Sequence, residues 1–87
     1  MKPILMFVMA SCPYCRAARR WMEEIMDEHP EYRDIPLTIV DEQQQPALAN
    51  EYDYHYVPTF YVDGVKLHEG AASREIVERV FRAGAGE

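Results

Sequence analysis

A chain of 87 residues makes a single domain spanning residues 1–87, because chains divide into units only at roughly 100–200 residues. Its 48% hydrophobic content is ample for a globule, and nine Lys and Arg against fifteen Asp and Glu leave a net charge of −6, which repels phosphate backbones and anionic lipid. Nucleic acid and membrane surfaces are therefore excluded as expected partners, and two cysteines are too few for a disulfide-stapled secreted miniprotein.

In chain order, Ile4-Leu5-Met6-Phe7-Val8-Met9 is a continuous apolar run, as in a strand buried on both faces. The run continues only to Ala10, far short of the ~20 residues of a membrane helix. After Lys2 it faintly resembles a signal peptide, but cleavage behind Ala10 would remove the strand, so a reducing, cytoplasmic setting is expected. A helix is predicted from Pro13 to Glu28. Proline suits its first position, and Tyr14, Cys15, Ala18, Trp21, Met22, Ile25 and Met26 form one apolar stripe. His29-Pro30 ends it. Ile35 to Val40 reads as a second strand, reached by a crossover long enough for right-handed parallel pairing. A short helix from Pro46 to about Tyr52 follows. Asp63-Gly64 then turns a hairpin between Thr59-Phe60-Tyr61-Val62 and Val65-Lys66-Leu67-His68. Ser73 caps a last helix with an Ile76, Val77, Val80 and Phe81 face, and Gly84 is placed to end it. This order predicts an α/β fold with a four-stranded mixed sheet flanked by three helices.

Cys12-Pro13-Tyr14-Cys15 falls where the first strand becomes the first helix. Unpaired N–H groups and the dipole at a helix start favour a thiolate at Cys12. Cys15, one turn on, falls in the apolar stripe, within disulfide reach of Cys12. Thiols in such settings ionise at ~3.5–7.5 instead of ~8.5, so Cys12 is expected to attack and Cys15 to resolve. Two plainer accounts compete: a pair of buried structural cysteines, or half a zinc site. The zinc account lacks ligands, since there is no third cysteine and His29, His55 and His68 show no ligand spacing. The strand–motif–helix context favours redox chemistry.

The tetrapeptide Cys12-Pro13-Tyr14-Cys15 is identical to the active-site motif of dithiol glutaredoxins, and Val57-Pro58-Thr59 resembles the cis-proline loop of the thioredoxin superfamily. That resemblance implies a thioredoxin fold of strand order 2-1-3-4 and thiol–disulfide exchange through a mixed disulfide. It also implies a substrate-binding set of Pro13, Tyr14, Val57, Pro58 and Gly70, with Pro58 beside the cysteines and the Val57 backbone pairing with an incoming peptide or glutathione. No tightly bound cofactor is implied. Glutathione or a reductase such as thioredoxin reductase would donate electrons, and the substrate would be a disulfide-containing protein or small molecule met by a monomer. Two details depart from glutaredoxins: Met9 stands where many carry a lysine for a glutathione carboxylate, and Gly70-Ala71-Ala72-Ser73 lacks their acidic pair. The stretch from Val57 to Ser73 looks more like thioredoxin, yet no acidic residue precedes Cys12 as thioredoxins have it. Alternative readings are a glutathione-assisted iron–sulfur cluster carrier and a non-catalytic interaction module.

Charge on the first helix runs against its dipole, with Arg16, Arg19 and Arg20 first and Glu23, Glu24, Asp27 and Glu28 last. One account is a solvated face with Arg19–Glu23 and Arg20–Glu24 pairs. The other is a positive potential that tunes the Cys12 pKa, with Arg16 its nearest member. Tyr52 is expected to pack on the sheet edge, and Tyr54 and Tyr56 have two accounts, the same packing or a partner-docking surface.

Overall fold

The computed structural model describes residues 1–87, folded as a four-stranded mixed sheet in the order expected. The strands are β1 (Ile4–Val8), β2 (Leu37–Asp41), β3 (Thr59–Val62) and β4 (Val65–Glu69), and the helices are α1 (Pro13–Glu28), α2 (Pro46–Ala49) and α3 (Arg74–Gly84). Order across the sheet is β2-β1-β3-β4, with β1 parallel to β2 and antiparallel to β3. No helix is long and apolar enough to cross a membrane.

Alternation along the strands divides the core into two layers. Ile4, Met6 and Val8 of β1, with Phe60 and Val62 of β3, face α1 and α3 and join a cluster of 16 buried residues. Phe7 faces the other way and packs with Val40, Ala49 and Tyr61 in a cluster of only four, extended by half-buried Tyr52 and Tyr54. The second layer is thin because α2 is a single turn and the aromatic segment after it does most of the covering.

Several boundaries depart from the sequence reading for identifiable reasons. β1 stops at Val8, as the chain turns toward the cysteines. A 3-10 turn, Pro30–Asp34, follows His29, and Ile35 packs in the core ahead of Pro36, so β2 starts at Leu37 and not at Ile35. α2 ends at Ala49, and Tyr52 lies beyond it in a turn closed by its N–H to the Ala49 carbonyl. Tyr14 is not part of the buried stripe: at the second helical position it is 60% exposed. Gly84 is not a left-handed terminator but the last residue of α3, where a Cβ would lie 2.9 Å from Ile4 Cδ1, so it serves the close approach of α3 to β1. The Asp63-Gly64 turn has both residues at positive φ, 52° and 80°, as its two-residue hairpin requires.

The expected Arg19–Glu23 and Arg20–Glu24 pairs are absent. Arg33 instead takes Glu23 and Asp27, while Arg74, at the start of α3, takes Glu24 and Glu28. Tertiary partners thus compensate the acidic half of α1 and leave its arginine half uncompensated.

Candidate functional site

Cys12 is the N-cap of α1, with extended backbone (φ −90°, ψ 110°) and Pro13 as the first helical residue. Its sulfur does the work of a capping serine, accepting the Cys15 N–H at 3.1 Å. A thiolate there receives a backbone donor and the positive end of a 16-residue helix together. The sulfur is more enclosed than a helix start suggests: Cys12 is 8% exposed, Cys15 only 2%, and both are free thiols. Burial pushes the Cys15 thiol up to about 12, helped by its hydrogen bond to Cys12.

Val57 and Pro58 close the site from the β3 side through a cis peptide bond. The Cys12 sulfur lies 3.8 Å from the Val57 carbonyl oxygen. Val57 N–H donates to no group of the protein, while the Pro58 carbonyl accepts from Gly70 N–H at 2.8 Å. Gly70, at φ 95°, therefore braces this loop from behind through its backbone. Ser73 spends its hydroxyl on capping α3 at the Ile76 N–H, so the segment after Gly70 presents no acidic group before Glu75.

Of the other residues singled out, Tyr56 is 70% exposed beside the loop, and Tyr14 is exposed beside Cys12. Tyr54 does not join that surface. Its ring stacks on Phe7 at 4.7 Å between centroids and its hydroxyl donates to Glu42 at 2.8 Å, so it is part of the second core layer. Burial, then the Glu42 bond, holds that phenol well above its usual range. Arg16 turns back to donate to the Ala10 carbonyl at 3.2 Å, pinning the turn that leads into Cys12. Arg16 and Arg19 border a groove of about 340 Å³ that also reaches Met9, Cys15, Asp41 and Gln44.

Sequence reasoning missed Glu69. Its carboxylate accepts the His55 and Tyr56 N–H groups at 2.5 and 3.1 Å and pairs with Lys66 at 2.7 Å. Hydrogen bonds to Lys66 first, then to His55, hold this carboxyl down at about 2.

A family model described as thioredoxin domain matches residues 4–82, which include the cysteine pair and the Val57-Pro58 loop. The chain belongs to the thioredoxin family. This thioredoxin-family chain is 35% identical over 78 residues to a thioredoxin of Methanocaldococcus jannaschii, covering 88% of its own length and 89% of the relative's. Among solved structures it is similar to a malarial protein (TM-score 0.74, 17% identity, 97% of each chain). It is also similar to oxidised glutaredoxin 2 of Chlamydomonas reinhardtii (TM-score 0.57, 17% identity, 99% of this chain and 85% of that one). The sheet order and the likeness to glutaredoxin 2 show the thioredoxin fold, and the family supports a thiol–disulfide oxidoreductase-like role.

Proposed function

We propose that the protein is a dithiol disulfide reductase in which Cys12 attacks and Cys15 resolves, served by a thioredoxin-reductase-type donor in preference to glutathione. The observation that carries the reading is the Cys12 sulfur capping α1 at the Cys15 N–H while facing the Val57 carbonyl. The Cys12 thiolate attacks one sulfur of the substrate disulfide, forming the mixed disulfide and releasing the other sulfur as a thiolate that takes up a proton. Cys15 then gives its proton to solvent, attacks the Cys12 sulfur and releases the second substrate thiol. Two electrons have passed to the substrate, and the pair is left oxidised for the donor to reduce.

A peptide substrate lies along Val57 as an added strand, its carbonyl taking the Val57 N–H that no protein group uses. Exposed Tyr14 and Tyr56 offer apolar contacts to that peptide, beside exposed Pro13 and buried Pro58. Arg16, one turn past Cys12, adds positive potential at the attacking sulfur.

Preference for a reductase donor rests on Met9 in the place of a carboxylate-binding lysine, on the lack of an acidic group between Gly70 and Ser73, and on likeness to a chain named thioredoxin. One lost charge-assisted contact costs roughly 1.5–3 kcal/mol, about ten- to a hundredfold in affinity. The test runs disulfide reduction with thioredoxin reductase and with glutathione plus its reductase in parallel. Turnover with the first at least tenfold faster is expected, and the opposite order would reverse the assignment of donor. Cys12→Ser abolishes turnover and Cys15→Ser accumulates a covalent adduct by mass spectrometry. An adduct with Cys12→Ser alone would exchange the two roles.

A further inference from the structure

The β3–β4 ladder carries an irregularity with consequences at the site. Phe60 pairs with His68, but the next residue, Tyr61, pairs with Lys66, so Leu67 is an extra residue bulged out of β4. In an unbroken strand, residues three apart point to opposite faces. The bulge reverses that for Lys66 and Glu69, which oppose Tyr61 and Thr59 and so share the face crossed by residues 53–56. Both side chains then grip that segment. Glu69 Oε2 accepts the His55 and Tyr56 N–H groups, and Lys66 Nζ reaches the Asp53 carbonyl at 3.1 Å and Glu69 Oε1 at 2.7 Å. Tyr61 adds its hydroxyl to the same Asp53 carbonyl at 2.6 Å.

Four of these bonds end on backbone atoms of Asp53, His55 and Tyr56, the residues leading directly into Val57 and Pro58. None touches a cysteine. We infer that Glu69, set by the Leu67 bulge and steadied by Lys66, is a positioning residue that fixes the Val57 backbone for pairing with a peptide substrate. The inference rests on the reading of Val57 as the docking strand. A carboxylate suits the task because one oxygen accepts two successive N–H donors while the other holds the lysine, which an amide oxygen does less well. Freed of Glu69, residues 53–56 lose the acceptor of the His55 and Tyr56 N–H groups and are held by the Tyr61 and Lys66 bonds to Asp53, the Thr59 hydroxyl on the Tyr56 carbonyl and the Tyr54 hydroxyl on Glu42. Val57 N–H then samples orientations that a bound peptide must reselect, and the ordering cost falls on binding.

The experiment uses the reduced full-length protein in single turnover, mixed with rising concentrations of a disulfide-linked peptide dimer or of a small aromatic disulfide that has no backbone to pair. Glu69→Ala raises the half-saturating concentration of the peptide five- to tenfold, while its limiting rate, the aromatic disulfide kinetics and iodoacetamide alkylation of Cys12 stay within twofold of wild type. Glu69→Gln, which keeps an acceptor oxygen, lies between Glu69→Ala and wild type, and Lys66→Ala shifts the peptide constant in the same direction by less. An unchanged peptide constant in Glu69→Ala overturns the inference. So does an equal loss with both disulfides and in alkylation, since that marks general loosening of the domain. Wild-type protein that reduces neither disulfide overturns the reading of the function itself, and the inference with it.

Discussion

At the scale of single residues, Cys12 and Cys15 differ by what reaches each sulfur. Cys12 receives the Cys15 N–H and faces the Val57 carbonyl, whereas Cys15, on the inner face of α1, lies among apolar side chains, which suits the resolving role proposed for it. Its ordinary value of 9.0 becomes about 12, burial being the first cause. The linkage has a definite sign: between these values the unfolded chain has released a proton that the folded chain retains, so stability falls as pH rises from about 9 to about 12. The urea midpoint of the reduced wild type should therefore drop more steeply across that window than that of Cys15→Ala, whose other titrating groups are the same. Parallel curves would refute the assignment. The placement of Cys12 at the helix start and of Cys15 on the buried stripe was legible in the sequence because a strand, a four-residue motif and a helix start are local features. Glu69 was not, because its role depends on the Leu67 bulge, and no alternation pattern announces an extra residue in a strand.

Elements were read well where a local signal fixed them and less well where a distant partner did. Ser73 and Asp63-Gly64 act through their own neighbours, and α3 and the hairpin fall where those residues put them. The charge pattern of α1 is the contrary case: pairs at helical spacing lost to Arg33 and Arg74, which arrive from beyond the helix. The Arg74 guanidinium beside Glu28 also holds that carboxyl below its ordinary value. Gly84 belongs here too, since a helix-end glycine in the sequence turned out to be a contact between α3 and β1. Its neighbours Ile4 and Ile35 are 1% and 4% exposed, so a new methyl at 2.9–3.1 Å has little room to be absorbed. Overpacking of this kind costs about 1–3 kcal/mol, against a gain of up to about 1 kcal/mol for alanine in a helix. Gly84→Ala should thus lose about 1–2 kcal/mol net, lowering Tm by roughly 4–15 °C in a domain of this size. Ile4→Val removes the nearest methyl, so the double variant should be more stable than the sum of the two single losses. Strict additivity in thermal melts would remove the clash as the cause.

Across the whole molecule the two faces of the sheet are unequal, and the site draws on both. α1 and α3 close one face over 16 buried residues, and that layer fixes Cys12 and Cys15. The other face is closed by one turn of α2 and an aromatic segment resting on Phe7, whose ring meets Tyr52, Tyr54 and Tyr61 at 5.0, 4.7 and 6.1 Å between centroids. That thinner layer leads into Val57. Local opening follows buried apolar contact, so residues 46–56 should exchange their amide protons at a lower free energy than β1, β3 and α1. Cys12 thus sits on the stiffer layer and Val57 follows the softer one, so in the proposed exchange the attacking sulfur and the peptide-pairing backbone are held by layers of unequal stability. Phe7→Leu is the discriminating variant. It keeps an apolar side chain in the sheet but removes the ring on which Tyr54 stacks, and it should lower protection at Ala49, Asn50, Glu51 and Tyr52 by more than at Met22, Ile25 and Met26. Hydrogen exchange read residue by residue decides the matter. A uniform loss across both layers would mean that the domain opens as one unit and that the two faces share a single stability.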